Sequence, residues 1–330
     1  MGPENKNEHF THIPVLLSEA LHFLNPYPGA VVVDATLGGG GHAKAVLHKI
    51  MPGGTLVGID FDGNALNAAR DRLASFGTSF IPVQGNFSNI QAMLHGLGFT
   101  TVDGVLMDLG VSSHQLDCAG RGFSYQKDVF LDMRMGPEIE ETAADLLNTL
   151  PREELARIFN QYGEEKWASR IASFIDKHRT QKGPVTRSAQ LVDIIKNAIP
   201  ASSRRKGGHP AKRIFQALRI AVNRELENLK MGLEQGIDCL KPGGRIVVIA
   251  YHSLEDEMVK KELRRRANPC TCPPKFPVCR CGRSPEVMLI TPKIISPGQD
   301  EIKANPRARS ARLRAAEKLE SGKSSNRIGR

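Results

Sequence analysis

A glycine-rich turn between a predicted strand and a predicted helix is the first place where this chain could do chemistry. Residues 34–42 read DATLGGGGH, and the four glycines let bare backbone approach a ligand at a helix amino terminus. The spacing Gly38-x-Gly40-x-x-Ala43 also meets a dinucleotide-binding fingerprint, and Asp60 follows at the end of the next predicted strand. The turn therefore predicts a bound nucleotide-like ligand and leaves two ligand classes open.

Two features of the sequence favour S-adenosylmethionine over a dinucleotide. Asp34 ends the strand, and three residues separate it from the first glycine. A carboxylate facing this turn would attract an ammonium and a sulfonium group and would repel a pyrophosphate. Residues 241–245, KPGGR, also resemble the turn that precedes strand five in class I methyltransferases.

Three further side chains are placed to complete such a site. Asp60 would accept hydrogen bonds from the ribose hydroxyls, and Phe87, after the third predicted strand, would cover the adenine or pack in the core. Asp108 ends the fourth predicted strand beside the methyl group, where it could accept hydrogen bonds from an amino group under attack. The alternative for each carboxylate is an ordinary surface position.

Four of the six cysteines fall within twelve residues, as the pairs Cys270-x-Cys272 and Cys279-x-Cys281. Four thiolates can hold zinc, but structural zinc sites usually use a Cys-x2-Cys or wider spacing. A proline-rich surface loop that carries reduced thiols explains the same pattern. We therefore predict no metal site and keep a zinc knuckle as the alternative for this cluster.

The candidate site residues must be positioned by strands and helices, which the sequence predicts as short apolar runs that alternate with segments of helical periodicity. Apolar runs predict strands at 31–34, 55–60, 80–83, 102–108, 245–250, 287–294 and 311–316. Helical spacing predicts helices from Gly41, at 64–76, at 88–95 and at 254–265. This alternation indicates a parallel sheet with crossover helices, which is a Rossmann-like α/β fold.

More than a hundred residues separate the fourth and fifth predicted strands, far more than one crossover needs. Helical spacing at 151–159, 164–178 and 188–198 predicts an inserted all-helical domain, with Thr149 or Thr186 as a cap. One long helix with Phe215, Leu218 and Leu229 on one face then leads back to the sheet. The predicted division is 1–114 and 213–317 for the sheet domain, 115–212 for the insert and 318–330 for a tail.

Composition and charge indicate which class of protein this is and which class of partner it binds. Hydrophobic residues make up 40% and charged residues 24%, as in globular domains, and no stretch approaches the ~20 apolar residues of a membrane span. The polar start carries no apolar signal segment, so we expect a cytoplasmic protein without a membrane partner. The formal net charge of +10 favours nucleic acid as the partner.

Eight segments in order closely resemble the bacterial ribosomal RNA small subunit methyltransferase H family, also called MraW. The resemblance covers nearly the whole chain and is far more specific than one glycine loop. The segments are 12–17 (HIPVLL), 34–42 (DATLGGGGH), 108–117 (DLGVSSHQLD), 121–124 (RGFS), 131–135 (LDMRM), 215–226 (FQALRI, VN and EL), 252–256 (HSLED) and 305–309 (NPRAR).

The resemblance implies a class I methyltransferase with a helical insert after strand four. It implies N4-methylation of a cytidine in the decoding region of 16S rRNA, within the small ribosomal subunit, with S-adenosylmethionine as the donor. Asp108 is the catalytic residue expected. The cofactor contacts that the resemblance places are Gly40, Gly41, His42, Asp60, Phe87, Asp108 and Gln115.

Recognition of RNA would fall to the insert. Phe123 and Tyr125 could stack on a flipped base or pack in the insert core. Basic residues that could contact phosphates are Arg134, Lys212, Arg213, Arg219 and the run 204–206. Two other functions remain open, which are a non-catalytic RNA-binding assembly factor and methylation of a protein or of DNA.

Overall fold

The computed structural model describes residues 14–110, 120–136, 138–204, 209–273 and 280–320. The chain divides into two compact units. The sheet unit comprises Met1–Gly110 and Gly232–Arg330, and the helical unit comprises Val111–Met231. The helical unit thus runs beyond residue 212, where the sequence analysis ends the insert. The reason is that Ile214, Phe215 and Leu218 belong to the helical core and not to the sheet.

The sheet unit contains a seven-stranded sheet in the order β3-β2-β1-β4-β5-β7-β6. Strands β1 to β5 are parallel to one another, and β7 runs antiparallel to both β5 and β6. The predicted Rossmann-like α/β fold is confirmed. The strands are β1 Val31–Asp34, β2 Thr55–Asp60, β3 Phe80–Gln84, β4 Val102–Asp108, β5 Leu240–Ala250, β6 Val287–Leu289 and β7 Arg312–Lys318.

Helices cover the sheet and explain why its central strands are almost wholly apolar. A parallel strand buried on both faces needs apolar side chains in consecutive positions, and the Val-Val-Val of β1 supplies them. The helices of this unit are Leu17–Leu24, Gly41–Ile50, Gly63–Leu73, Ile90–Gly96, Ser253–Ala267 and Gln299–Ala304, with 3-10 turns at Ala74–Ser79, Phe87–Asn89 and Pro306–Ser310.

The register of the parallel strands brings three carboxylates to one edge of the sheet. Asp34 is the last residue of β1 and lies opposite Leu106 of β4. Asp60 and Asp108 are the last residues of β2 and β4. Since ligands of open α/β sheets bind beyond the carboxyl ends of the strands, this edge is where a site is expected.

Strand β6 is shorter than the predicted 287–294, and a side chain explains the difference. The Thr291 hydroxyl accepts a hydrogen bond from the Ala315 N–H at 2.7 Å, in the place of a backbone carbonyl. The Ile290 and Thr291 N–H groups both donate to the Ala315 carbonyl. Regular pairing therefore stops after Leu289, and a single bridge, Ile295 to Leu313, follows.

The helical unit has its own apolar core, drawn from residues 123–222. Its first described helix begins at a capping box, where Thr142 accepts from the Asp145 N–H and Asp145 accepts from the Thr142 N–H. Neither Thr149 nor Thr186 is a cap: Pro151 and Arg187 hold those positions. The helices are Ala143–Thr149, Arg152–Gln161, Ala168–Lys182, Ser188–Ala198, Ala201–Arg204 and Ala211–Asn223.

The prediction of a single long helix before β5 is wrong. The chain forms two helices, Ala211–Asn223 and Glu225–Asp238, because Arg224 adopts a left-handed conformation with φ +49°. The buried Asn223 side chain donates to the Met133 carbonyl and accepts from the Met135 N–H, both at 2.8 Å. Among the helices of the described ranges, none combines the length and the apolar character of a membrane span.

Candidate active site

The glycine turn after β1 forms a close-fitting cradle at the start of a helix. Gly38 and Gly40 have φ values of +51° and +73°, which L side chains rarely adopt. A Cβ atom on Gly41 would lie 2.6 Å from Cγ of Pro14, and one on Gly40 would lie 3.2 Å from Cδ1 of Leu73. No described side chain caps the helix that begins at Gly41. Its first N–H groups are therefore available to a ligand.

Asp60 is held in place by backbone N–H groups on both oxygens. Oδ2 accepts from the Gly38 N–H and Oδ1 accepts from the Asp62 N–H, each at 2.8 Å. Burial raises the pKa of Asp60, and these two hydrogen bonds oppose the rise. A carboxylate has about four lone-pair sites, so each oxygen can still accept a ligand hydroxyl.

Asp34 lies at the base of the turn, and its side chain is almost fully buried. Burial raises the pKa of this carboxyl to about 7. His42 and a hydrogen bond from the Thr36 N–H lower the pKa, while the negative charges of Asp108 and Asp60 raise it. Three carboxylates and one imidazole therefore influence one another at this edge of the sheet.

His42 lies in the first turn of the helix, with its ring buried. Its Nε2 atom is 3.0 Å from the carbonyl oxygen of Val15, which can only accept, so Nε2 carries a hydrogen. Its Nδ1 atom lies 3.5 Å from Oδ2 of Asp108. Burial lowers the pKa of His42. The ring is therefore neutral at pH 7 and presents a lone pair toward the Asp108 carboxyl.

Asp108 is fixed by groups from two neighbouring strands. The Tyr251 hydroxyl, just after β5, donates to Oδ1 at 2.8 Å, and the Asp108 N–H donates to the Thr36 hydroxyl at 2.6 Å. Burial raises the pKa of Asp108 to about 7; Tyr251 opposes this rise and Glu255 adds to it. With 22% of its side chain exposed, the carboxyl can still contact a substrate.

Tyr251 is the site residue that the sequence analysis missed. Its ring also packs against Gly110, where an added Cβ would lie 3.1 Å from Cδ2 of the ring. Its N–H donates to Oε2 of Glu255 at 2.8 Å. Its position directly after β5 could have identified Tyr251 from the sequence, because β5 pairs with β4 and ends beside Asp108.

Phe87 lies in the 3-10 turn after β3, half-buried. Its ring faces Gly232, where an added Cβ would lie 2.4 Å from Cδ2. The Gln235 side chain donates to the Ser88 carbonyl at 2.6 Å and so ties this turn to the same helix. Phe87 thus has a packing role and a partly open face. Gln115, the remaining expected cofactor contact, lies outside the described residues.

The charge of the site is its most informative property. Among the ion pairs between described residues, none joins a lysine or an arginine to Asp34, Asp60 or Asp108. Buried carboxylates without a cation are costly, which is why their pKa values are raised. A ligand with a positive charge would recover that cost, whereas a pyrophosphate would increase it.

Solved structures that match this chain include an rRNA methylase from Streptococcus thermophilus, at a TM-score of 0.42 and 12% identity over 94% of this chain and 99% of that one. Fibrillarin from Aeropyrum pernix matches at a TM-score of 0.38 and 9% identity, over 91% of this chain and 73% of that one.

Similar sequences cover almost the full length. Ribosomal RNA small subunit methyltransferase H of Geobacter sulfurreducens is 56% identical over 310 residues, which are 94% of this chain and 99% of that protein. The protein of the same name from Symbiobacterium thermophilum is 54% identical over 313 residues, 95% of this chain and 98% of that protein. A family described as the MraW methylase family matches residues 9–319. The chain belongs to the MraW methylase family.

Proposed function

We propose that this protein transfers the methyl group of S-adenosylmethionine to N4 of a cytidine in the decoding region of 16S rRNA, within the small ribosomal subunit. The observation that carries the proposal is a set of carboxylates at the carboxyl edge of the sheet, beside a glycine cradle, that have no lysine or arginine partner within the described ranges. The relatives named Ribosomal RNA small subunit methyltransferase H support the choice of acceptor.

The donor fits the groups that the site offers. S-adenosylmethionine supplies a methyl group on a positively charged sulfur, together with an ammonium, a ribose and an adenine. The Gly40 and Gly41 backbone would approach the donor at the helix start, and the free lone pairs of Asp60 would accept from the ribose hydroxyls. The open face of Phe87 would lie against the adenine. Asp34 and Asp108 supply negative charge for the cationic part of the donor.

Asp108 is the residue that would act on the acceptor. The lone pair of a cytosine amino group is delocalised into the ring, so the nitrogen must become tetrahedral before it attacks. A carboxylate that accepts hydrogen bonds from the amino protons would stabilise that change more than it stabilises the planar ground state. Tyr251 holds Oδ1 in position and lowers the pKa of Asp108, which favours the ionised form that this role requires.

His42 has a positioning role in this proposal. Its Nε2–H is engaged by the Val15 carbonyl, so Nδ1 can only approach Asp108 as an acceptor or as a protonated donor. While Asp108 is protonated, its Oδ2–H can donate to Nδ1, which positions the carboxyl beside the ring. Once Asp108 ionises, the neutral ring has no second N–H to offer, and the Tyr251 hydroxyl holds the carboxylate through Oδ1.

Recognition of the RNA is assigned to the helical unit, and the structure reduces the set of expected contacts. Phe123 is buried in the helical core, so it does not stack on a base. Tyr125 is half-buried and stacks on the ring of His209, with centroids 4.5 Å apart and planes 7° from parallel. This aromatic pair can extend a stack to a flipped base.

Two of the four named cations outside the run 204–206 are held by carboxylates through hydrogen bonds. Arg219 pairs with Glu225 through two hydrogen bonds of 2.8 Å, both side chains being mostly buried. Arg134 pairs with Asp132 at 2.6 Å. Lys212 is exposed, and Arg213 keeps 56% of its side chain exposed, with Oε2 of Glu165 3.8 Å away. Lys212 and Arg213 are therefore the phosphate contacts that we expect within the described residues.

One experiment tests the proposal as a whole. Small subunits and free rRNA from a strain that lacks this protein are incubated with the purified protein and a donor carrying a labelled methyl group. The modified nucleotide is then mapped in rRNA from deletion and complemented strains. Label at N4 of one decoding-region cytidine supports the proposal. Label on protein or DNA, or binding to rRNA without transfer, identifies the rival functions instead.

A further inference from the structure

The segment between the helix Ser253–Ala267 and β6 is rich in proline and cysteine. It carries prolines at 269, 273, 274, 277 and 285, and no helix or strand is assigned in its described parts, 268–273 and 280–286. Long connections without secondary structure are uncommon in compact domains unless something orders them. The few apolar residues of this segment cannot form a core of their own.

Hydrogen bonds and an ion pair close the base of the segment. The Glu286 N–H donates to the Arg266 carbonyl at 2.9 Å, and the Glu286 carboxylate pairs with the Arg266 guanidinium at 2.6 Å. Arg266 is itself mostly buried and also pairs with Glu262 at 2.9 Å. The Leu319 N–H, just after β7, donates to the Glu286 carbonyl at 2.9 Å. Both ends of the segment are therefore anchored to the sheet unit.

Three thiols converge beyond this base. The Sγ atoms of Cys270, Cys272 and Cys281 all lie within 4.8 Å of one another. They come from both sides of the stretch 274–279, so the chain returns to meet itself at the sulfurs. The Arg280 N–H points to Sγ of Cys272 at 3.4 Å. Gly282, next to Cys281, turns the chain with φ +67°.

This arrangement fits a metal ion better than a disulfide. In a tetrahedral zinc site with Zn–S distances of about 2.3 Å, the sulfurs are separated by about 3.8 Å. Separations of up to 4.8 Å between the three sulfurs here are compatible with such a site. A disulfide brings two sulfurs to about 2.05 Å and joins only two of the three that converge here. Soft thiolates select zinc, copper(I) or iron–sulfur clusters among the common metals. A site whose task is to hold a loop needs no redox chemistry, which favours zinc.

We propose that Cys270, Cys272 and Cys281 bind one Zn²⁺ ion that orders the segment between residues 268 and 286. Each thiol releases its proton to solvent as it becomes a ligand, so the sulfurs bind as thiolates. The binding free energy then offsets the conformational entropy of the loop. The sequence spacing argued against zinc because Cys-x-Cys is narrower than the usual pair. The structure favours zinc because it brings Cys281 close to Cys270 and Cys272 from the other end of the segment.

The proposed ion has no part in methyl transfer, and none of its ligands belongs to the carboxylate site at the sheet edge. Its test therefore does not depend on the donor or on RNA. Cys279 lies outside the described residues and is not among the ligands argued here.

Zinc content of the purified full-length protein is the first measurement. We expect about one zinc per chain for the wild type, and less than about one tenth of that for Cys270→Ser and for Cys281→Ser, because three ligands are too few to lose one. Cys239→Ala is the matched control, since it removes a buried thiol of the same unit outside the cluster and should keep the zinc. Wild-type protein that holds no zinc, or variants that keep it, would overturn the proposal. Iron or copper in its place would do so too.

Cobalt substitution and proteolysis supply two readouts that do not require activity. Zinc-stripped protein titrated with Co²⁺ should gain a thiolate-to-cobalt charge-transfer band and the d–d bands of a tetrahedral site, which both serine variants should lack. Trypsin should cut after Lys275, Arg280 or Arg283 about tenfold faster once zinc is removed, since local opening sets the cleavage rate. Equal rates with and without zinc, or a disulfide among these cysteines in freshly prepared protein, would contradict a zinc-ordered segment.

Discussion

The two ends of β4 carry the same side chain in opposite environments. Near its amino end, Asp103 accepts from both the Lys241 ammonium and the Val31 N–H, at 2.9 and 2.8 Å. Burial alone would raise the pKa of Asp103, but these hydrogen bonds and the lysine charge bring it below the usual value. At the carboxyl end, Asp108 has no cation among its described partners, and burial raises its pKa to about 7.

This difference separates a structural carboxylate from a functional one. Asp103 ties β4 to the start of β1 and to Lys241 of β5, and its charge is neutralised within the protein. Asp108 is held in position by Tyr251, and no lysine or arginine pairs with it among the described residues. Preorganised groups whose charge is left for a ligand are typical of catalytic sites, where pKa values are strongly shifted.

The largest effect is expected from Asp108→Asn. Loss of the carboxylate removes the acceptor for the amino protons, and we expect turnover to fall by about 10²–10⁴-fold. Single-turnover methylation of small subunits measures this, with circular dichroism to confirm that the fold is kept. Turnover within about twofold of the wild type would remove Asp108 from the chemistry.

The second largest effect is expected on donor binding, from Asp60→Ala. This change removes a charged acceptor that two N–H groups hold in place, so donor binding should weaken by about 1–3 kcal/mol. Calorimetric titration with S-adenosylmethionine gives the value. An unchanged dissociation constant would mean that the ribose lies elsewhere.

Asp103→Asn is the matched variant at the other end of the strand. It should lower the free energy of unfolding by about 1–3 kcal/mol, because the Lys241 ammonium loses its partner. Donor affinity should stay the same, since the change lies at the opposite edge of the sheet. Denaturant unfolding and calorimetry on one preparation test both parts. A weakened donor affinity with unchanged stability would contradict the structural role given to Asp103 at the amino end of β4.

The pH dependence of donor binding follows from the raised pKa values. Asp34 and Asp108 have pKa values of about 7, and a cationic donor binds their ionised forms. Affinity should therefore fall as the pH drops through 7, by about tenfold between pH 8 and pH 6 for one such group. Binding near pH 7 should release protons, which titrations in buffers of different ionisation enthalpy detect. Affinity that rises toward acid pH would exclude this electrostatic account.

The smallest effect is expected from Tyr251→Phe. Without the hydroxyl, Asp108 loses a hydrogen bond that stabilises its ionised form, so its pKa should rise further. The acidic limb of the pH–rate profile should move upward by about one unit, with little change in turnover at high pH. A pH-independent loss of turnover would instead assign Tyr251 a direct contact with the substrate.

Local sequence patterns predicted much of the sheet unit. The strands ending in Asp34, Asp60 and Asp108 were predicted at their observed bounds, because each is a short apolar run that stops at a carboxylate. The glycine turn was also readable, since few other residue types adopt positive φ there.

Long-range contacts could not be predicted in this way. The pairing of Tyr251 with Asp108 joins residues 143 positions apart, and the pairing of Arg219 with Glu225 depends on a break at Arg224 that no residue type announces. The three sulfurs likewise meet through chain geometry and not through spacing. Such features depend on tertiary structure, which overrides local propensity.

The single tryptophan of the chain, Trp167, packs against the core of the helical unit. Each unit has a separate apolar core, so we expect tryptophan fluorescence during heating to follow the helical unit. A donor that binds the sheet unit stabilises that unit by mass action. Screens that monitor tryptophan emission would therefore overlook compounds that occupy the donor pocket, whereas the far-ultraviolet signal of the sheet would reveal them.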